Sequence, residues 1–391
     1  WRIYDGGEAE MKKFFVKILG NEKTQNIAIP LFSILLSLIV GMIVIGALGK
    51  YPLTAYANLL QGSGLLPKPQ YSAYQGMLTD FTSFLNMMTP MLFAALAVAV
   101  ALKAGLFNIG VSGQMLAAGF IATITVGYST LAAPIAKPLV LLIGIVAGMA
   151  VGALIGFLKY RFNINEVVSS IMINYIVQYL TSFFINTRYM DEISRQSLAV
   201  SDASRLTIME VPIGGLRVDI PLCIVLAVLV AVVMKFLLDR TRLGFEIKAV
   251  GASRNAARYA GINVGKTMVV SMMISGALAG LAGVTYYLGY LQSIQPKVLA
   301  STGFDAIAVA LLGNSNPVGI IFSSFLITGV TKGSSYMNSA SGIETEIGSV
   351  ITGLILLFSA CGAFVRYEVK KWKAELEETE GKAEKAGKEA R

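Results

Sequence analysis

The chain has 391 residues, 55% hydrophobic and only 14% charged, well below the quarter or so of charge that soluble domains carry. That balance excludes a single soluble core, and the formal charge of +9 lies between apolar runs rather than on one face, which speaks for a positive-inside bias and excludes nucleic acid as a partner. The absence of His removes the usual general base and the commonest metal ligand, so no catalytic and no metal site is expected.

In chain order, Met11-Lys12-Lys13 reads as an ordinary start, and residues 1–10 before it are set aside as an extension. Runs without Asp, Glu, Lys or Arg cover 27–49, 83–102, 138–158, 167–187, 267–296 and 347–365, and several reach the roughly 20 residues that cross a bilayer as a helix. A barrel would instead alternate over segments of about 10 residues. The expected fold is an all-α polytopic membrane protein of about ten transmembrane helices, near 27–49, 83–102, 106–128, 138–158, 166–187, 219–238, 267–290, 300–313, 317–335 and 346–366. The first is long and lacks a small-residue cleavage signal, so it is retained as a helix, whereas 300–313 is short for a span and reads as a half-helix.

Lys and Arg orient these segments. Lys12, Lys13, Lys17 and Lys23, then Lys159 and Arg161, then the seven bases of 235–266 place those stretches in the cytoplasm. Three regions follow: a cytoplasmic segment 1–26, a transmembrane domain 27–366 with a cytoplasmic loop at 239–266, and a charged cytoplasmic tail 367–391 to which no chemistry is assigned. Cys223 and Cys361 both fall in apolar spans and read as small buried hydrophobes.

Gly144, Gly148, Gly152 and Gly156 line one face of the fourth span, and Gly276, Gly280 and Gly283 one face of the seventh, a spacing that lets backbones approach closely. "KAGLFNIGVSGQMLAAG" interrupts apolar sequence with Asn108, Ser112 and Gln114, which points to a broken helix beside a translocation path. Asn86, Asn174, Gln178, Gln292 and Gln295 add neutral polar groups suited to hydroxyl- or amide-bearing solutes, and polar glue between helices is the competing reading for each. Asp305 is read as the one charge inside the spans, facing a cavity or, alternatively, wetted at the end of a short element.

In the cytoplasmic loop, Ser253 is expected to cap a short helix through Ala260 that Gly261 stops, with Arg254 and Arg258 on its outer side, a shape suited to docking in a partner's groove. The following "AGINVGKT", 260–267, imitates a phosphate-binding loop. Such a loop needs a strand before it and a later acid for magnesium, and only "FEIKAV" offers a strand here, while no acid follows until Asp305.

"FNIGVSGQM", "AVGASRNAARYAGI" and "GFDAIAVALLGNSNPVGI", in this order, resemble the membrane subunits of bacterial ABC importers of the branched-chain amino acid, ribose and nucleoside permease family, nearest its nucleoside and simple-sugar branch. The resemblance covers 27 to about 366. It implies a type II importer fold, a second related permease subunit, an ATPase subunit with two nucleotide-binding modules that holds ATP and Mg, and an extracytoplasmic substrate-binding lipoprotein. It also implies that Ala252, Ser253, Arg254, Asn255, Ala256, Ala257, Arg258, Ala260 and Gly261 form the helix that couples to the ATPase. Ser253-Arg254-Asn255 departs from relatives that often carry Asn followed by Pro or another small residue there.

The function expected on this ground is a non-enzymatic permease subunit for nucleosides in a bacterial cell membrane, with both termini cytoplasmic. Uptake of ribose or another simple sugar is the near alternative. An ion-coupled secondary transporter using Asp305 is the distant one, since it needs ionisable partners within the spans.

Overall fold

The computed structural model describes Val16 and residues 25–389, without the side chains of 26, 27, 363 and 377–389. The extension 1–10 and Lys12, Lys13, Lys17 and Lys23 therefore lie outside the described residues. The elements in order are α1 (Gln25–Ala47), α2 (Pro52–Gly62), α3 (Met77–Lys103), α4 (Val111–Ala122), α5 (Ala133–Phe162) and α6 (Glu166–Phe184). A hairpin of β1 (Thr207–Ile213) and β2 (Leu216–Pro221) comes next. Then follow α7 (Cys223–Arg240), α8 (Arg242–Ala252), α9 (Arg254–Tyr259), α10 (Val264–Thr285), α11 (Thr302–Leu312), α12 (Pro317–Ser341), α13 (Glu346–Ala360) and α14 (Gly362–Glu389). Short π turns prolong α4 to Gly127, α6 to Tyr189 and α10 to Tyr290.

Each predicted span carries helix over most of its length. Among the described residues six helices are long and apolar enough to cross a membrane: α1, α3, α5, α12, and α6 and α10 with their π turns. A seventh results if α13 and Phe364–Leu376, bent by 43°, count as one span. The other three are different in kind: α4 and α11 are short, and α7 ends in Lys235, Asp239 and Arg240.

The all-α expectation missed the hairpin, and the sixth segment was begun inside it, because β2 runs to Pro221 and the helix starts at Cys223. The strands pair antiparallel from Thr207 opposite Pro221 to Ile213 opposite Leu216. Gly214 and Gly215 turn the chain between them at φ +58° and +84°, which only glycine adopts freely. The apolar residues of β2 had merged into the following helix in the hydropathy pattern.

The chain divides into two compact units. In the first, Trp1–Leu53 with Ser349–Arg391, the hydroxyls of Ser33 and Ser37 donate to the carbonyls of Phe358 (3.1 Å) and Leu354 (3.2 Å), and Ile29 packs with Val369. In the second, Thr54–Gly348, α3 is the central post, buried from Met88 through Ala101 among α10, α11, α12 and α7. The two glycine stripes meet each other: a Cβ at Gly148 would run into the Gly276 carbonyl and the Gly280 backbone, and one at Gly280 into the Gly144 carbonyl. Gly283 instead faces the Met115 carbonyl of α4.

Candidate functional site

The loop after α7 folds into two short helices. Thr241 caps α8 by accepting from Gly244 N (3.1 Å), and Ser253 caps α9 by accepting from Ala256 N (3.3 Å). Gly261, at φ +77°, ends α9 in the left-handed conformation. Asp239 pairs with Lys235 (2.7 Å) and Lys248 (3.3 Å), tying the end of α7 to α8. Ile247, Val250 and Ala257 are buried in one apolar cluster with Leu106, Ile155 and Met268. Ala252, Ser253, Arg254, Asn255, Ala256, Arg258, Ala260 and Gly261 are exposed, as is Tyr259, at 95%, which the sequence reading passed over.

This loop rests on the break between α3 and α4. A Cβ at Gly251 would meet the Lys103 carbonyl, and the Arg254 guanidinium donates to the Gly105 carbonyl (3.2 Å). "FEIKAV" is part of α8 rather than a strand, and Asn263 caps α10 by accepting from Lys266 N (3.0 Å). The strand that a phosphate-binding loop requires is therefore missing from "AGINVGKT".

The polar residues of the break tie to one another. The Asn108 amide donates to Gln114 Oε1 (3.1 Å) and to Ser275 Oγ (2.9 Å), while its own oxygen accepts from Gly110 N (3.0 Å). Ser275 Oγ donates to the Ala97 carbonyl (2.6 Å) of α3. The Asn174 amide donates to the Ile109 carbonyl (3.1 Å) and its oxygen accepts from Gly113 N (3.0 Å), and Ser112 Oγ donates to the Ala300 carbonyl (3.0 Å). Asn108, Ser112, Gln114 and Asn174 are all buried. Unwound backbone buried away from water needs such partners.

The remaining candidates lie apart. Asn86 Oδ1 accepts from Thr207 Oγ1 (3.0 Å), and the gap they line with Thr89 and Thr285 leaves no space for a water molecule. Gln178 donates to the Lys297 carbonyl (2.6 Å), Asp305 is half-buried and bonded to Ser301, and Gln295 is exposed. Gln292 presents its amide oxygen to the buried Arg205, 3.0 and 3.2 Å away, and loss of solvent lowers the pKa of that guanidinium from its usual value.

Asp305 is not the one charge within the spans. Lys332, on α12, donates to Ser83 Oγ (2.9 Å) at the end of α3 remote from the 239–266 loop, beside the Lys68–Asp80 pair (2.7 Å). Its setting, "TKGSSYMNS", interrupts the apolar pattern, and that interruption was the available signal. Among the described residues no group of three or more acids or cysteines is placed to hold a metal.

With this geometry in hand, comparisons with known proteins are specific. Residues 81–360 match the family described as branched-chain amino acid transport system / permease component. The chain is 35% identical to the nucleoside ABC transporter permease protein NupB of Lactococcus lactis, over 94% of this chain and 100% of that one. It is 34% identical to the guanosine ABC transporter permease protein NupP of Bacillus subtilis, over 90% and 98%. A glucose ABC transporter permease protein of Haloferax volcanii is 28% identical over 87% and 89%. No solved structure matches.

Proposed function

The chain belongs to the branched-chain amino acid transport system permease family, and within it we propose that it forms the membrane path of an ATP-driven importer for nucleosides. The observation that carries this reading is similarity over almost the whole chain to two permeases whose names specify nucleosides or guanosine. The substrate is thus inferred from relatives, and the glucose permease at 28% keeps a simple sugar as the second reading.

In this reading ATP and Mg act on a separate ATPase subunit with two nucleotide-binding modules, and α9 is the coupling helix it grips. Support comes from its form: a capped helix with an exposed outer face and only Ala257 turned inward, seated on the α3–α4 break. The partners are that ATPase, a second related permease and an extracytoplasmic binding lipoprotein. Ten membrane elements in a type II importer arrangement, with both termini cytoplasmic, complete the scheme, and the bases of the 235–266 loop favour that orientation.

Asn86, Asn108, Ser112, Gln114, Asn174, Gln178 and Asp305 then belong to the wall of the path. Their intrachain bonds suit them to hold its shape. The test is co-purification with the ATPase and second permease, followed by uptake of labelled nucleosides into proteoliposomes supplied with binding protein. ATP-dependent nucleoside uptake is expected. Uptake of a pentose in its place would overturn the substrate, and uptake that follows an ion gradient without ATP would overturn the class.

A further inference from the structure

The faces that the long helices leave exposed are not alike. On α1 they are Leu31, Leu35, Ile39 and Ile43, and on α5 Ile135, Leu142, Val146 and Leu154, with rings, Phe157, Tyr160 and Phe162, confined to the last turn and a half of α5. These are hydrocarbon faces with aromatic groups at the edge, the pattern that lipid selects. On α6 the exposed row is Met172, Tyr175, Ile176, Tyr179, Leu180 and Phe183.

Tyr175 and Tyr179 sit on either side of the middle of the span Glu166–Tyr189, each within about 4 Å of its midpoint along the axis. They are 53% and 61% exposed, and neither hydroxyl has a partner among the described residues. A phenol at the bilayer midplane facing acyl chains would leave its hydroxyl unpaired, which is unfavourable. The flank of α6 beside this row is firmly mounted: Asn174 bonds Gly113 and Ile109, and Gln178 and Ser182 bond the Lys297 backbone at 2.6 and 2.7 Å.

The row continues as rings toward the end of α6 remote from the coupling loop. Phe183 meets Phe184 edge to face (5.5 Å), Phe184 stacks on Phe120 (6.2 Å), and Tyr189 touches Phe120 (6.5 Å) and stacks on Tyr128 (5.6 Å). Aliphatic walls would serve a small sugar or a lipid equally well, whereas a row of rings with free hydroxyls suits a planar heteroaromatic ring carrying polar edges.

We propose that Tyr175 and Tyr179 face the translocation path and that their rings stack on the base of the passing nucleoside, with Phe183 and the ring cluster above them leading the base in. This rests on the nucleoside reading and adds to it the surface that tells a nucleoside from a bare pentose.

The experiment uses the assembled importer in proteoliposomes, with labelled adenosine and labelled ribose. Because a base stacked on an aromatic side chain is sensitive to its loss, Tyr179→Ala and Tyr179→Leu lower ATP-dependent adenosine uptake about tenfold, and Tyr179→Phe restores most of it. In a second arm Cys223 and Cys361, the two native cysteines, are replaced by Ser, and Tyr175→Cys, Tyr179→Cys and Val146→Cys are exposed to a charged thiosulfonate reagent. Tyr175→Cys and Tyr179→Cys are modified and adenosine slows the modification, while Val146→Cys is not. Full adenosine uptake by Tyr179→Leu, or two cysteines as silent as Val146→Cys, overturns the proposal and assigns the face to lipid or the second permease. Ribose uptake without adenosine uptake by the unaltered importer overturns the nucleoside reading itself, a result distinct from both.

Discussion

The seam between α5 and α10 and the break between α3 and α4 both bring two backbones unusually close, by opposite means. In the seam the side chains are absent: Gly144, Gly148 and Gly152 face Gly276 and Gly280 with no room for a Cβ. In the break they are supplied: Asn108, Gln114, Ser275 and Asn174 hold unwound chain through directional bonds. A backbone-to-backbone contact has one arrangement, and any added atom prises it apart. Bonds between side chains in a membrane average only about 0.6 kcal/mol each and can be exchanged for others. The seam is thus suited to hold two helices as one body, and the break, directly under the 239–266 loop, is suited to move.

The largest expected effect falls on the seam. Gly148→Leu places a side chain against the Gly276 carbonyl, where neither backbone can give, so the loss of stability reaches or exceeds the roughly 3 kcal/mol upper range of overpacking. A melting curve of the detergent-solubilised subunit measures it, and an unchanged Tm would sink the rigid seam. Asn108→Leu comes next, leaving Gln114 and Ser275 short of a partner at a cost of about 1–2 kcal/mol, with transport falling further than that loss explains. If uptake falls only in step with Tm, the break is structural and nothing more.

The smallest effect on stability belongs to Arg254→Glu together with Arg258→Glu, since both side chains are exposed and the one bond given up, from Arg254 to the Gly105 carbonyl, is worth about 1 kcal/mol. Uptake should nevertheless be lost while ATP hydrolysis by the assembled complex continues, and undiminished uptake would remove α9 from the coupling role. Ala257→Glu is unsuited to this comparison because Ala257 is buried and a charge there disturbs the loop itself.

Much of this was legible in the residues. Apolar runs and the charges between them outlined the helices, because crossing hydrocarbon requires length and excludes charge. Ser253 and Gly261 announced both ends of α9, because caps act within one turn. The hairpin was legible in principle, from "TIMEVPIGGLRVDIP", with β-branched residues on both sides of a Gly-Gly turn, yet its apolar second strand was absorbed into the next helix. Lys332 was legible too, since "TKGSSYMNS" interrupts the apolar pattern around it, yet the apolar run before it drew that base into a span.

The sequence by itself determined which segments form apolar helices, where α9 starts and stops, and that two glycine stripes exist. Only the tertiary structure decided that those stripes face each other, and that Asn108 bonds Ser275 across 167 positions while Asn174 bonds Gly113 across 61. The same is true of the tyrosines of α6, whose exposure sets them apart from an ordinary buried row. The reason is physical: hydropathy and capping act over a turn or a span of one helix, whereas the partner of an amide or the neighbour of a ring is chosen by how separate helices pack.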